Sequence, residues 1–221
     1  MCIAALVPLV ALTLLPQAPY AAQQRPTDPY RVEWENDQVR VARVTLAPGQ
    51  SLDTAAPNGR VVIFLTADLD GRLPSHEAAW VEDAAVTNRG ASRFEAIVID
   101  MKAAPSGAPG MTPAEAAPMY RRSGYAYAMD RQPRMINLVD NAHVTVTRER
   151  YTGNSYIDAF HFHPRDAVVV YLNGGYTWPA VSYWGADRVR RGDVRIVPAN
   201  ALHTLGNASS DPLDFVIVSP R

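Results

Sequence analysis

Short apolar runs recur along the chain with turn formers between them. Val39–Leu46 alternates, its apolar positions being Val39, Val41, Val44 and Leu46 around the smaller Ala42-Arg43 step. Arg60–Thr66 (RVVIFLT), Phe94–Met101 (FEAIVIDM), Ala167–Leu172 (AVVVYL) and Leu213–Val218 are near-continuous apolar runs, and Val144–Val146 and Val194–Val197 are shorter ones. Pro48-Gly49, Pro57-Asn58-Gly59, Asp70-Gly71, Asn173-Gly174-Gly175 and Arg191-Gly192-Asp193 lie between them. Gly and Asn accept backbone conformations that other residues resist, and Pro breaks a strand ladder, so these segments predict turns. Short β-branched runs at this spacing predict an all-β sandwich or barrel, not alternating strands and helices.

The pattern occurs twice. Asn36–Leu46 (NDQVRVARVTL) lines up without a gap on Asn141–Tyr151 (NAHVTVTRERY), and Asp53 then meets Asp158. With a two-residue insertion in the second copy, RVVIFLT meets AVVVYLN; further on, Asp83–Thr87 meets Asn200–Thr204 and FEAIVI meets LDFVIV. The chain therefore reads as two copies of one β unit, 30–102 and 135–221. The connecting residues 103–134 begin with an Ala-, Pro- and Gly-rich stretch, 103–119, that suits a linker or a long loop.

Cys2–Leu15 is apolar and uncharged and is ended by Pro16, Gln17 and Pro19. A run of about 14 residues is too short for a membrane span and suits the apolar core of a secretion signal. Ala21-Ala22 offers a cleavage region, so residues 1–22 read as a signal peptide. The mature protein is then expected in the periplasm or outside the cell, with no membrane contact. Cys2 is the only cysteine, which excludes a disulfide framework, a zinc ribbon and a Cys–His nucleophile pair.

Composition narrows the partners. The chain has 221 residues, 48% of them hydrophobic, enough for a packed core. Its net charge is −1 and Lys102 is its only lysine, so the basic excess of a nucleic-acid binder is missing. The expected partner is a small-molecule ligand or substrate, and the exposed edges of small sandwiches also allow a homodimer.

Candidate chemistry is concentrated in the second copy. His161-Phe162-His163 ends a predicted strand, where residues two apart share a face, so both imidazoles can enter one cavity. Pro164-Arg165-Asp166 then turns the chain. Gly192-x5-Pro198-x-Asn200-x2-His203-x3-Asn207 follows: a turn at Gly192, a strand at Val194–Val197, a break at Pro198, and Asn200 suited to a left-handed backbone before His203. Three imidazoles from neighbouring strands form a facial set for Zn, Fe, Mn, Ni or Cu, with open positions for water or substrate.

These two segments resemble the signature motifs of the cupin superfamily, and the duplication makes the chain similar to a two-domain cupin, or bicupin. The second motif matches at Gly192, Pro198, His203 and Asn207, with Asn200 where the family has Gly. In the first, Ser155 stands where the family has Gly. The resemblance implies a double-stranded β-helix (jelly-roll) barrel for each unit. It also implies a divalent transition metal, Fe, Mn, Zn or Ni, on His161, His163 and His203. The carboxylate that cupins place four or five residues after the second His is absent, since Ala167 and Val168 stand there. Asp166 is the nearest carboxylate and reads as a solvated turn residue.

The first copy has Thr54-Ala55-Ala56-Pro57-Asn58 opposite the His-x-His, Val86 opposite His203 and Gly90 opposite Asn207. It is read as a degenerate cupin without metal, serving packing or partner contact. His143 is expected at the surface, and Tyr151, Tyr156, Phe160, Tyr171, Trp178, Tyr183 and Trp184, with Arg148 for an anionic group, are candidates for the pocket mouth, although any single aromatic reads as ordinary barrel core. Two functions follow. One is a metal-dependent enzyme of oxygenase, isomerase or lyase type acting on a small organic molecule. The alternative is a non-catalytic secreted cupin that binds a small ligand or metal.

Overall fold

Arg60–Phe64 and Ala167–Tyr171 are buried at every position. A strand reads as an unbroken apolar run when its sheet is covered on both faces, and both runs lie inside such sheets. The computed structural model describes residues 28–52, 54–66, 77–82, 85–102, 134–153, 156–157, 163–178, 186–201, 203 and 205–221. The expected signal peptide, residues 103–133 and His161 lie outside them.

All regular structure among the described residues is β. The first half contains β1 (Tyr30–Glu35), β2 (Val39–Leu46), β3 (Ser51–Leu52), β4 (Arg60–Phe64), β5 (Ala78–Val81), β6 (Val86–Thr87) and β7 (Phe94–Met101). The second contains β8 (Arg134–Asp140), β9 (Val144–Tyr151), β10 (Tyr156–Ile157), β11 (Ala167–Tyr171), β12 (Gly175–Trp178), β13 (Asp187–Val189), β14 (Val194–Val197), β15 (Gly206–Asn207) and β16 (Leu213–Pro220). The apolar runs do not predict β1, β5, β8, β12 or β13. Four of these are sheet edges, and edge strands carry charged or weakly buried side chains that dilute the apolar signal.

Each half is built on a five-stranded antiparallel sheet. The orders are β1-β2-β7-β4-β5 and β8-β9-β16-β11-β14, the same arrangement in both. The edge strands even share an irregularity: the β1–β2 register shifts between Val32 and Trp34, and the β8–β9 register between Asn137 and Val139. A two-stranded layer, β3-β6, covers the first sheet, and a four-stranded layer, β10-β15-β12-β13, covers the second.

Strand alternation divides the side chains among three cores. Val44, Leu46, Val62, Phe64, Phe94 and Val98 face Leu52 and Val86 inside the first sandwich. Ala167, Val169, Tyr171, Leu213, Phe215 and Ile217 face Val189 and Leu205 inside the second. The opposite faces of the two sheets meet each other: Val39, Val41, Val61, Ile63, Ile97 and Ile99 pack with Val144, Val146, Val168, Val170, Val216 and Val218 in one shared core. Each such side chain contributes about 1.5–3 kcal/mol by leaving water, so the two halves stabilise one another.

Polar contacts fix how the sheets sit together. Arg43 Nη2 donates to Gly192 O at 2.6 Å. Gly192 has φ 82°, a backbone that favours glycine, and a Cβ there would come within 2.7 Å of the Arg43 guanidinium and displace it. His143, expected at the surface, is half-buried and stacks on Trp80 of the first half, with ring centroids 5.2 Å apart. The periodicity of one strand could not show this, because the stacking partner comes from the other sheet.

Candidate metal centre

His203 is fully buried and follows the turn Pro198-Ala199-Asn200, in which Asn200 takes the expected left-handed backbone (φ 58°). His203 Nδ1 lies 2.9 Å from Ala201 O. A carbonyl only accepts, so Nδ1 carries the proton and the lone pair sits on Nε2, the tautomer that binds a metal through Nε2. His163 opens the turn before β11. Its carbonyl accepts from Asn200 N at 2.7 Å, which continues the antiparallel register pairing Tyr156 with Asn207 and Ile157 with Gly206.

This register brings two of the three expected ligands together. The His163 and His203 rings have centroids 5.0 Å apart and planes 24° apart. Two imidazoles bound to one ion at about 2.0–2.1 Å, with an N–metal–N angle near 90–110°, have centroids roughly 4.5–5.2 Å apart. The 5.0 Å separation of the two rings lies within that range. His161 is outside the described residues, and among those residues no group of three His, Cys, Asp or Glu could hold a metal.

Asp166 is half-buried, not a solvated turn residue. Its Oδ1 accepts from Ala199 N at 2.7 Å and its Oδ2 from Asn36 Nδ2 at 2.9 Å. Both oxygens are directed at protein donors, which makes Asp166 a brace between turns.

The interior of the second sandwich is packed. Tyr171 lies on the same inward face as Val169, a choice that parity alone leaves open. Phe215 sits between Tyr151 and Tyr171, at centroid distances of 4.8 and 5.9 Å. Burial pushes the Tyr171 hydroxyl above its ordinary pKa, against the opposing effect of its hydrogen bond with Thr177. Both tyrosines belong to the core and not to a pocket mouth. Arg148 is placed differently from expectation as well. It follows Val146 on the face turned to the other half and makes a bidentate pair with Asp214, at 3.0 and 2.8 Å. Sequence reasoning overlooked Glu149, which is buried and paired across strands with the inward-facing Phe215. The alternation of β9 around Tyr151 could have revealed it.

The first half fills the corresponding place with an ion pair. Arg60 opens β4 opposite Val81, the last residue of β5, just as Ala167 opens β11 opposite Val197, the last residue of β14. Its guanidinium is buried, 3.1 Å from Asp100 Oδ1, and donates to Thr54 O at 2.6 Å and to Thr54 Oγ1 at 3.3 Å. The expected correspondence between the copies also needs correction at β6 and the turn after it. Asn88, not Gly90, stands in the place of Asn207, and Val86 matches Leu205, not His203. Asn207 fixes a turn by bonding to backbone groups.

No family model matches the sequence, and no curated protein is similar to it at a significant level. Solved structures are similar in fold. A cupin 2 conserved barrel domain protein from Leptotrichia buccalis aligns with a TM-score of 0.52 at 13% identity, over 90% of this chain and 92% of its own. Salicylate 1,2-dioxygenase from Pseudoaminobacter salicylatoxidans, as a variant in complex with gentisate, aligns with a TM-score of 0.55 at 11% identity, over 83% of this chain and 69% of its own. With its antiparallel double-layer sandwiches and these likenesses, the chain has the fold of the cupin superfamily.

Proposed function

We propose that the chain is an exported bicupin, with units 30–102 and 135–221, whose second unit binds a divalent transition metal and acts on a small organic molecule. His161, His163 and His203 would hold the ion, which is Fe, Mn, Zn or Ni. The observation that carries this reading is the His163–His203 pair: rings 5.0 Å apart, with the His203 tautomer set by Ala201 O. The recurrence of sheet order and edge bulge supports the two-unit organisation.

Three neutral imidazoles leave an ion its full charge and open positions, so it supplies Lewis acidity or activation of water or dioxygen. The protein's part is to orient the rings and exclude water. Ala201 O fixes His203, the Asn200–His163 bond fixes the spacing, and Tyr171, Phe215 and Leu213 fill the interior of the second sandwich. Ala167 stands where a carboxylate ligand would be, and Glu149 is the buried carboxylate of the inner face. Oxygenation, isomerisation or lysis fits this set better than a mechanism needing two placed carboxylates. A structural neighbour described as a salicylate dioxygenase with bound gentisate supports a small organic ligand.

Elemental analysis of the protein purified without added metal tests the reading. Stoichiometric metal, lost in His161→Ala and in His203→Ala, is the expected result; unchanged metal content in both variants overturns it. Oxygen uptake with thiols, diketones and phenolics then separates catalysis from binding. Retained metal with no uptake across the panel would favour the binding module, a reading that the absent carboxylate at Ala167 also supports.

A further inference from the structure

We propose that the first half, which lacks the histidines, positions the metal centre of the second half through a single hydrogen bond from Asn36 to Asp166. The inference rests on the reading that His163 and His203 share an ion.

Asn36 begins the turn between β1 and β2. Its Oδ1 accepts from Gln38 N and Val39 N, both at 2.8 Å, which settles the orientation of the amide and leaves Nδ2 as the outward donor. The backbone around it is also tied: Asn36 N donates to Val39 O at 3.0 Å, and Lys102 Nζ donates to Asn36 O at 2.6 Å. Asn141 caps the equivalent turn of the second half in the same way, accepting from His143 N at 2.9 Å and Val144 N at 3.0 Å. Capping the turn therefore needs only Oδ1. The Nδ2 bond to Asp166 Oδ2, 2.9 Å long and spanning 130 residues of sequence, is additional to it.

Asp166 lies three residues after His163, and Ala199 lies four residues before His203. The bond from Ala199 N to Asp166 Oδ1, at 2.7 Å, fastens the two turns together beside the Asn200–His163 bond. The spacing of the two rings thus depends on where the Asp166 carboxylate points, and its far oxygen is held by the other half. Shared metal ligands must be held within about 0.5 Å, and removing a supporting hydrogen bond typically lowers metal affinity 10–100-fold. Asn36 and Asp166 are positioning residues, and they give the half without the three candidate ligands a role at the site.

The chemistry of the pair suggests a reciprocal exchange. Asn36→Asp sets one carboxylate against another. Asp166→Asn keeps an acceptor for Ala199 N but turns an NH2 towards the Asn36 NH2, which cannot flip. The double variant Asn36→Asp/Asp166→Asn restores every bond with donor and acceptor exchanged. In the full-length protein we measure zinc affinity by chelator competition and, without metal, the imidazole nitrogen resonances of His163 and His203. Each single variant should lose about tenfold or more in zinc affinity and shift those resonances. The double variant should return to within about threefold of wild type in affinity and to the wild-type resonances.

Single variants that bind zinc and resonate as wild type does would overturn the proposal. So would a double variant no better than the worse single one. Should a single variant fail to fold, the double variant still decides, because its bonding is intact: wild-type affinity supports the proposal and poor binding overturns it. Were wild type to take up no zinc, the metal reading would fall, and the metal-free resonances alone would decide the positioning role.

Discussion

Asn88 and Asn207 occupy the same place in the two halves and make the same bonds. The Oδ1 of each accepts from the backbone N two residues on, Gly90 at 3.0 Å and Ser209 at 2.8 Å. The Nδ2 of each donates to the last carbonyl of the second strand, Leu46 O at 3.0 Å and Tyr151 O at 3.2 Å, and to the carbonyl four residues on, Ser92 O and Asp211 O, both at 2.8 Å. Asn207 Nδ2 also lies 3.0 Å from Thr152 O. Exchanging this donor for a carboxylate oxygen would set it against buried carbonyls. Asn88→Asp and Asn207→Asp should each destabilise by about 3 kcal/mol or more, Asn207→Asp the further, since it faces one more carbonyl. Thermal melts of the two variants check the order.

Arg60 and Asp100 are both buried, at 1% and 4% exposure, and Tyr30 donates its hydroxyl to the other carboxylate oxygen at 2.9 Å. Arg60→Ala leaves a buried carboxylate without its cation and should cost about 3–5 kcal/mol. Replacing both charges, as Arg60→Met with Asp100→Leu, should recover most of that loss. Urea unfolding of the single and double variants provides the comparison, and a double variant as unstable as Arg60→Ala would contradict it.

The same cluster predicts alkaline sensitivity. Burial, then the Asp100 charge and the hydrogen bond to it, push the Tyr30 hydroxyl up to about 12 from 10.0. The unfolded chain loses this proton first, so the stabilisation is complete below pH 10 and is lost as pH rises towards 12. Tyr30→Phe should flatten stability over that window. Spectrophotometric titration of tyrosinate absorbance should show one group missing from the late-titrating set.

At the acid end, hydrogen bonds from Arg40 and Lys102 hold Glu35 down to about 2 from 4.5. A lowered folded value means that the stabilisation is present above pH 4.5 and lost as pH falls towards 2. The Glu35 side chain is 35% exposed, so screening keeps the effect small. Glu35→Gln should lower stability slightly at pH 7 and reduce its acid dependence, with a greater difference at low salt. Chemical unfolding at several pH values and two salt concentrations checks this.

The shared core predicts that the halves do not separate cleanly. Residues 135–221 alone would expose Val146, Val168, Val170, Val216 and Val218, all fully buried in the whole chain. The fragment should aggregate or lack dispersed amide resonances, and the full chain should unfold in one transition. A monomeric, well-dispersed fragment would show that the second sandwich is self-sufficient.

The sequence by itself determined the strands and turns whose causes are local. Val39–Leu46, Phe94–Met101 and Val194–Val197 are strands over the lengths their apolar runs predict, because β-branched side chains favour extended backbone wherever they lie. Asn200 adopts positive φ because its own side chain tolerates it. Tertiary structure alone decided what faces what. In a run apolar on both faces, alternation defines two sides without naming their partners, so Tyr171 could face either core and Arg148 could equally have lined a pocket. The gap between the copies could be placed before or after β6 by letters alone, and the backbone bonds of Asn88 place it before. Asp166 reads as a loose turn residue until Asn36, distant in sequence, is brought beside it by the packing of the two sheets. Local backbone preference can be read from neighbouring letters, whereas pairing across the shared core depends on how the whole chain buries its apolar area.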